Sequence, residues 1–172
     1  MDKRPTPRSI EEAASPAGTP IRTLIVEDDA GTRSALKRLL NSGVFLPVPV
    51  ASAEAARGAL AAERFDVAVI DLHLGDESGC DLIEWIRERD QNVGIVIATG
   101  YPEALSPHEF ADLDVDDVVS KPYSAADLQA RVFHAAARRR QEADRCNKLC
   151  KILDSVDRLN AALDDAAADA GR

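Results

Sequence analysis

A chain of 172 residues is long enough for one ordinary domain with extensions and short for two. Its composition, 45% hydrophobic and 30% charged, is globular, and no apolar run approaches the roughly 20 residues of a membrane span, which argues against an integral helical membrane protein. The net charge of −9 is concentrated in residues 21–133, with ten Lys or Arg against twenty Asp or Glu, whereas residues 134–172 hold eight against seven; so acidic a core repels nucleic-acid phosphates, and direct DNA binding by it is not expected.

Residues 1–20 hold four prolines, little apolar content and no periodicity, and read as a disordered leader. They contain no apolar segment of the secretory kind, so a cytoplasmic location is expected. Ile21–Val26, apolar and β-branched, predicts a first strand ending in Glu27-Asp28-Asp29. Ala35, Leu36, Leu39 and Leu40 share one face of a helix over about Ala30–Leu40, closed by Asn41-Ser42-Gly43. Leu46–Val50 predicts a second strand, and Pro47 and Pro49, unable to donate to a ladder, place it at a sheet edge.

Ser52 opens an Ala-rich helix that runs to about Glu63. The unbroken apolar run from Val67, ended by Asp71, reads as a third strand buried on both faces. A helix over about Cys80–Arg89 turns Leu82, Ile83 and Ile86 inward, with Trp85 to one side. Val93–Ala98 predicts a fourth strand that delivers Thr99 and Gly100. Ser106-Pro107-His108-Glu109 has the capping box of a short helix. Val115–Ser120 predicts a fifth strand ending at Lys121-Pro122. Ser124 and Asp127 cap the last helix, and no Gly or Pro interrupts the chain from Tyr123 to Ala170. Cys80, Cys146 and Cys150 form no zinc-type cluster and read as unpaired thiols in a reducing compartment.

Strands alternating with helices imply a doubly wound parallel α/β sheet with right-handed crossovers. In such sheets the chemistry lies outside the carboxyl ends of the strands. Those tips collect Glu27, Asp28, Asp71, Thr99 and Lys121. Together these groups fit the transfer of a phosphoryl group onto Asp71. A carboxylate attacking a phosphoryl group meets like charge, so a cation must bridge the acids and the transferring oxygens. Mg²⁺, held by one or two carboxylates and several waters, suits Asp28 and Asp71, with Glu27 acting through a coordinated water. Thr99 can hydrogen-bond one phosphoryl oxygen and Lys121 can neutralise another.

The motifs IVEDD, VIDLHLGDESG, IATG and SKPY follow one another in the order found in bacterial two-component response regulators, and the chain resembles their receiver domain over about Arg22–Arg138. The resemblance implies a flavodoxin-like, five-stranded sheet of order 2-1-3-4-5. It implies Asp71 as the phosphoacceptor, Glu27 and Asp28 as the acidic pair, the His73 backbone carbonyl as a further Mg²⁺ ligand, and Thr99 and Lys121 as the switch residue and the lysine of the site. It also implies a sensor histidine kinase or phosphotransfer protein as phosphoryl donor and a downstream protein as target. A cis Lys121-Pro122 bond, turning the lysine back toward the strand tips, is expected on the same grounds.

Two positions depart from the family pattern. Val118 stands three residues before the lysine, where receivers usually place Tyr or Phe, so relay by a swinging ring is not expected. His73, two residues after the acceptor, stands near the path of a hydrolytic water or is simply solvated. Three other readings compete: a pseudo-receiver that is never phosphorylated and acts as a scaffold or adaptor, a phosphatase with an aspartate nucleophile, and a flavin-binding protein. The phosphatase expects a second acid where His73 stands, and a flavin expects a hydroxyl- or Gly-rich loop where the first strand ends in three acids.

The sequence therefore predicts a leader (1–20), a receiver domain (21–137) and a helical tail (138–172), a stand-alone receiver of chemotaxis type with no output domain in evidence. In the tail Leu149, Ile152, Val156, Leu159, Leu163 and Ala166 follow the alternating three and four spacing of a coiled-coil seam. Flanking positions lack complementary charge, so a homodimer through the tail and a partner's groove both fit. Arg138, Arg139, Arg140, Arg145, Lys148 and Lys151 face only Glu142 and Asp144 between core and seam.

Overall fold

A computed structural model of the chain describes residues 19–100, 108 and 112–170, with residues 159–170 as backbone alone. The expected short helix at Ser106-Pro107-His108-Glu109, apart from His108, and the leader through residue 18 lie outside the described residues. In chain order the elements are β1 (Ile21–Val26), α1 (Ala30–Leu40), β2 (Phe45–Val50), α2 (Ala53–Ala62), β3 (Val67–Ile70), β4 (His73–Leu74), β5 (Glu77–Ser78), α3 (Gly79–Arg89), β6 (Gly94–Thr99), β7 (Asp117–Ser120) and a C-terminal helix, Ala125–Ala170.

Five strands pair in parallel in the order β2-β1-β3-β6-β7, the flavodoxin-like order expected. β2 lies at the edge, with Pro47 opposite Thr23 and Pro49 opposite Ile25. Strand alternation sends Leu24, Ala68, Ile70, Ile95 and Ile97 to one face, where they meet Ala53 and Ala56 of α2 and Leu82, Ile83 and Ile86 of α3. Ile25, Val67, Val69, Val96 and Ala98 face the other way, against Leu36 and Leu40 of α1 and Leu128, Val132, Ala135 and Ala136 of the C-terminal helix. Both faces are thus covered, as an all-parallel sheet requires. Close approach on the second face depends on Gly94, where a Cβ would stand 3.2 Å from Ala135 backbone.

Side-chain caps fix where helices begin. Asp29 accepts from Thr32 N–H at 2.7 Å, Ser52 from Ala55 N–H at 3.2 Å, and Ser124 from Asp127 N–H at 3.1 Å, each satisfying a first-turn donor with no partner inside its helix.

The structure adds one element that the sequence did not announce: β4 and β5 form a two-residue antiparallel hairpin directly after Asp71, turning through Gly75 at φ +68°. Three strands also shift: β2 begins one residue earlier than expected, at Phe45. β6 begins at Gly94 and takes in Thr99, one residue later at each end than expected, and β7 is shorter than expected because Val115 and Asp116 precede the regular ladder.

At the edge of the sheet where β6 and β7 begin, a buried ion cluster takes the place of apolar packing. The Asp116 carboxylate accepts from Ile95 N–H at 2.9 Å and from Arg139 Nε at 2.9 Å, and pairs with Arg87 Nη2 at 3.3 Å. Arg87 also donates to the carbonyls of Val93 (2.7 Å) and Asp114 (2.9 Å). Arg139 is the last residue of the compact unit that holds the sheet; Arg140–Arg172 forms a second unit. Leu149, Ile152, Leu153 and Val156 of that second unit are exposed.

Candidate functional site

β1, β3, β6 and β7 all end at one edge of the sheet, so parallel pairing alone gathers their terminal residues. Glu27 and Asp28 follow β1, Asp71 follows β3, Thr99 closes β6, and Lys121 follows β7. Backbone hydrogen bonds continue past the regular strands and fix these tips: Asp71 N–H donates to Val26 O at 3.0 Å, Glu27 N–H to Val50 O at 3.3 Å, and Lys121 N–H to Thr99 O at 2.8 Å. The Lys121-Pro122 peptide bond is cis.

Lys121 ties the tips together. Its Nζ donates to Glu27 Oε2 at 2.7 Å and to Asp71 Oδ2 at 2.6 Å. Glu27 is buried, its side chain only 3% exposed, while that of Asp71 is 11% exposed. Burial holds the Glu27 carboxyl above its ordinary range despite the neighbouring ammonium. Burial also presses the Lys121 ammonium down, but the hydrogen bonds and charges of Asp71 and Glu27 outweigh it, so Lys121 is held above its ordinary value. The two shifts have opposite causes: burial raises Glu27 against the pull of Lys121, and the carboxylates raise Lys121 against burial.

Asp28 is exposed, and the hairpin turn lies against it, Gly75 presenting its backbone where a Cβ would stand 3.9 Å from Asp28 Oδ2. His73 is exposed at the start of the hairpin, and its N–H lies 3.4 Å from Asp71 Oδ1. Thr99 is completely buried. The structure thus brings Glu27, Asp71 and Lys121 into direct contact, with Asp28, His73 and Thr99 on the segments beside them.

The donors gathered here are all oxygen, the hard chemistry that Mg²⁺ selects. Among the described residues no three His, Cys, Asp or Glu side chains form a complete metal cage. Mg²⁺ needs none, since it keeps several waters and takes one or two carboxylates. Asp28 and Asp71 fit that demand.

Two residues that position the site escaped the sequence. Arg33, on α1, donates to the carbonyls of Glu27 at 2.7 Å and Asp28 at 2.9 Å, and so fixes the acidic segment. Gly79, which opens α3, packs so closely that a Cβ there would stand 2.2 Å from the Asp71 carbonyl oxygen. Its N–H donates to Leu72 O at 2.8 Å, tying the end of the hairpin to the segment that carries Asp71. A glycine in DESG reads as turn chemistry, and nothing local separates that reading from a through-space requirement.

Sheet order and strand-tip chemistry together define a doubly wound, flavodoxin-like α/β protein with a polar site at its switch edge. The family model described as "Response regulator receiver domain" matches residues 23–133, and the chain belongs to that family. It is 34% identical over 142 residues to the acid tolerance regulatory protein ActR of Sinorhizobium medicae, covering 81% of this chain and 73% of ActR. It is 32% identical over 110 residues to the photosynthetic apparatus regulatory protein RegA of Rhodovulum sulfidophilum, covering 64% of this chain but only 60% of RegA. The fold matches that of the response regulator TrrA of Thermotoga maritima, solved in complex with Mg(2+)-BeF, with a TM-score of 0.61 at 22% identity, covering 67% of this chain and 98% of that one. No helix among the described residues is long and apolar enough to cross a membrane.

Proposed function

We propose that the chain is a phosphoacceptor: Asp71 takes a phosphoryl group from a sensor histidine kinase or phosphotransfer protein, and the phosphorylated domain signals through contacts with a downstream protein. The observation that carries this reading is the Lys121 ammonium held against both Asp71 and Glu27, which sets a fixed positive charge beside the attacking carboxylate. Asp71 Oδ attacks phosphorus, the bond from phosphorus to the donor nitrogen breaks, and the product is an acyl phosphate on Asp71. Lys121 neutralises a transferred oxygen and the Thr99 hydroxyl hydrogen-bonds another.

Asp28, Asp71 and the His73 carbonyl are the Mg²⁺ ligands in this reading, with Glu27 reaching the ion through water. When bound, the ion offsets the repulsion between carboxylate and phosphoryl oxygens. TrrA, which shares the fold, was crystallised with Mg(2+)-BeF. Val118 is half-buried against the core and cannot swing as a ring does, so output leaves by another route than an aromatic at that position. The regulatory names of ActR and RegA favour a signalling module over a turnover enzyme. A cytoplasmic signalling module that acts on another protein, with no DNA contact of its own through the acidic core, completes the reading.

Incubation with acetyl phosphate and Mg²⁺, followed by intact mass, tests it. The wild type gains one acid-stable, base-labile phosphoryl group and Asp71→Asn gains none. No gain by the wild type would leave a scaffold that is never phosphorylated.

A further inference from the structure

We propose that the second unit, Arg140–Arg172, binds a second copy of itself, with the two helices running antiparallel. This stands apart from the phosphoryl chemistry at Asp71. Its starting point is an exposed apolar stripe: Leu149 is 61% exposed, Ile152 58%, Leu153 62% and Val156 45%. Four large apolar side chains on successive turns of one helix face make a contiguous patch of the kind that marks an interaction surface.

Charge selects both the occupant and its direction. Arg145, Lys148 and Lys151 are the only charged residues between 145 and 151, and Asp164, Asp165 and Asp169 the only ones between 159 and 170. The stripe lies between a basic end and an acidic end. A parallel pair sets each end against its own copy, like against like, which disfavours that arrangement. An antiparallel pair sets basic against acidic at both ends, so the complementarity missing between neighbouring flanking positions appears once the second helix is reversed.

The register follows from the seam. Its positions alternate in steps of three and four through Leu149, Ile152 and Val156, and the sequence continues them at Leu159, Leu163 and Ala166. Antiparallel layers pair a position of one type with the other type, which puts Val156 opposite Leu159, Ile152 opposite Leu163 and Leu149 opposite Ala166. All layers are filled at once, with the twofold axis between Asp157 and Arg158. The same register brings Lys151 level with Asp164 of the second copy. A groove on an unrelated protein would have no reason to match both ends.

Light scattering and spin-label distances on the full chain test this. In a Cys80→Ser, Cys146→Ser, Cys150→Ser background, labels are placed at Asn147→Cys or Asp157→Cys. In the antiparallel register, copies of position 147 are offset by about 30 Å along the axis, and copies of 157 by only about 2 Å, at 1.5 Å per residue. The expected result is a dimer with a long 147 pair and a short 157 pair, which becomes a monomer in Ile152→Asp with Val156→Asp. A monomeric wild type, equal short distances at both labels, or a dimer that survives the double substitution would each overturn the proposal.

Discussion

The Lys121 ammonium stands between two carboxylates, 2.7 Å from Glu27 Oε2 and 2.6 Å from Asp71 Oδ2, although its strand, β7, is separated from β3 by β6. One cation from beyond the next strand therefore balances the acids of two adjacent strands. Lys121→Met removes it and leaves those acids facing each other. Stability is expected to fall by about 2 kcal/mol, the scale of a hydrogen bond to a charged group. Mg²⁺ is expected to raise the melting temperature of the variant by more than that of the wild type, since a second cation then does the work of the first. Equal shifts in the two proteins would show that Mg²⁺ and Lys121 do not serve the same carboxylates.

Alkali provides a second view of the pair. Lys121 is held above its ordinary 10.5, so its contribution is complete below pH 10.5 and is lost as pH rises through the folded value. Tyr123, pushed up mainly by burial, titrates with the same sign above its ordinary 10.0. The wild type is therefore expected to lose urea resistance above pH 10.5 more steeply than Lys121→Met, where only the tyrosine remains. Parallel curves for the two proteins would remove the lysine from the account. Glu27 carries the same sign at acid pH: held above 4.5 by burial, it stabilises most when protonated and costs stability as pH rises through its raised value.

Two glycines should respond in opposite directions. A Cβ at Gly79 would meet the Asp71 carbonyl oxygen at 2.2 Å and Leu72 Cα at 2.8 Å, both backbone atoms that cannot rotate away. Gly79→Ala is expected to cost about 2 kcal/mol or more, the scale of overpacking, and to slow phosphorylation by displacing Asp71. Gly58, inside α2, has nothing within 4 Å of its would-be Cβ. Gly58→Ala should raise stability by about 0.5–1 kcal/mol through helix propensity. Thermal melts of the two variants check both, and a harmless Gly79→Ala would refute the close-approach argument.

The opposite edge of the sheet is held by charge. Asp116, its side chain 1% exposed, faces Arg87 and Arg139, whose side chains are 9% and 6% exposed. Asp116→Ala leaves two buried guanidinium groups short of a counter-charge and Ile95 N–H without its acceptor. About 3 kcal/mol should be lost in urea unfolding, the usual cost of breaking a buried pair from one side. Because this cluster lies at the far edge from Asp71, acetyl phosphate should still modify the folded variant.

The sheet could be read from the sequence because β1 and β3 are short apolar runs closed by acids, β6 is an apolar run closed by Thr99-Gly100, β7 gives way to Lys121, and the prolines at 47 and 49 marked the edge. The candidate site was legible for a related reason, since the residues that follow or close β1, β3, β6 and β7 are the ones that parallel pairing gathers at one edge. What escaped was through-space. The β4–β5 hairpin has two residues per strand, too few for any alternation to show. Gly79 and Arg33 earn their roles from backbone that the local sequence does not reveal. The Arg87, Asp116 and Arg139 cluster joins residues 23 to 29 positions apart, and each alone looks like one more surface charge.

Whether Asp71 itself carries the phosphoryl group is decided by locating that group on the chain. After acetyl phosphate and Mg²⁺, borohydride reduction converts an aspartyl phosphate to homoserine, and peptide mass spectrometry reads the position. Homoserine is expected at residue 71 alone, in amounts that fall sharply when Mg²⁺ is chelated or Asp28 is replaced by Asn. A phosphoryl group found on His73 or on a hydroxyl, with residue 71 unmodified, would contradict the proposed role of Asp71.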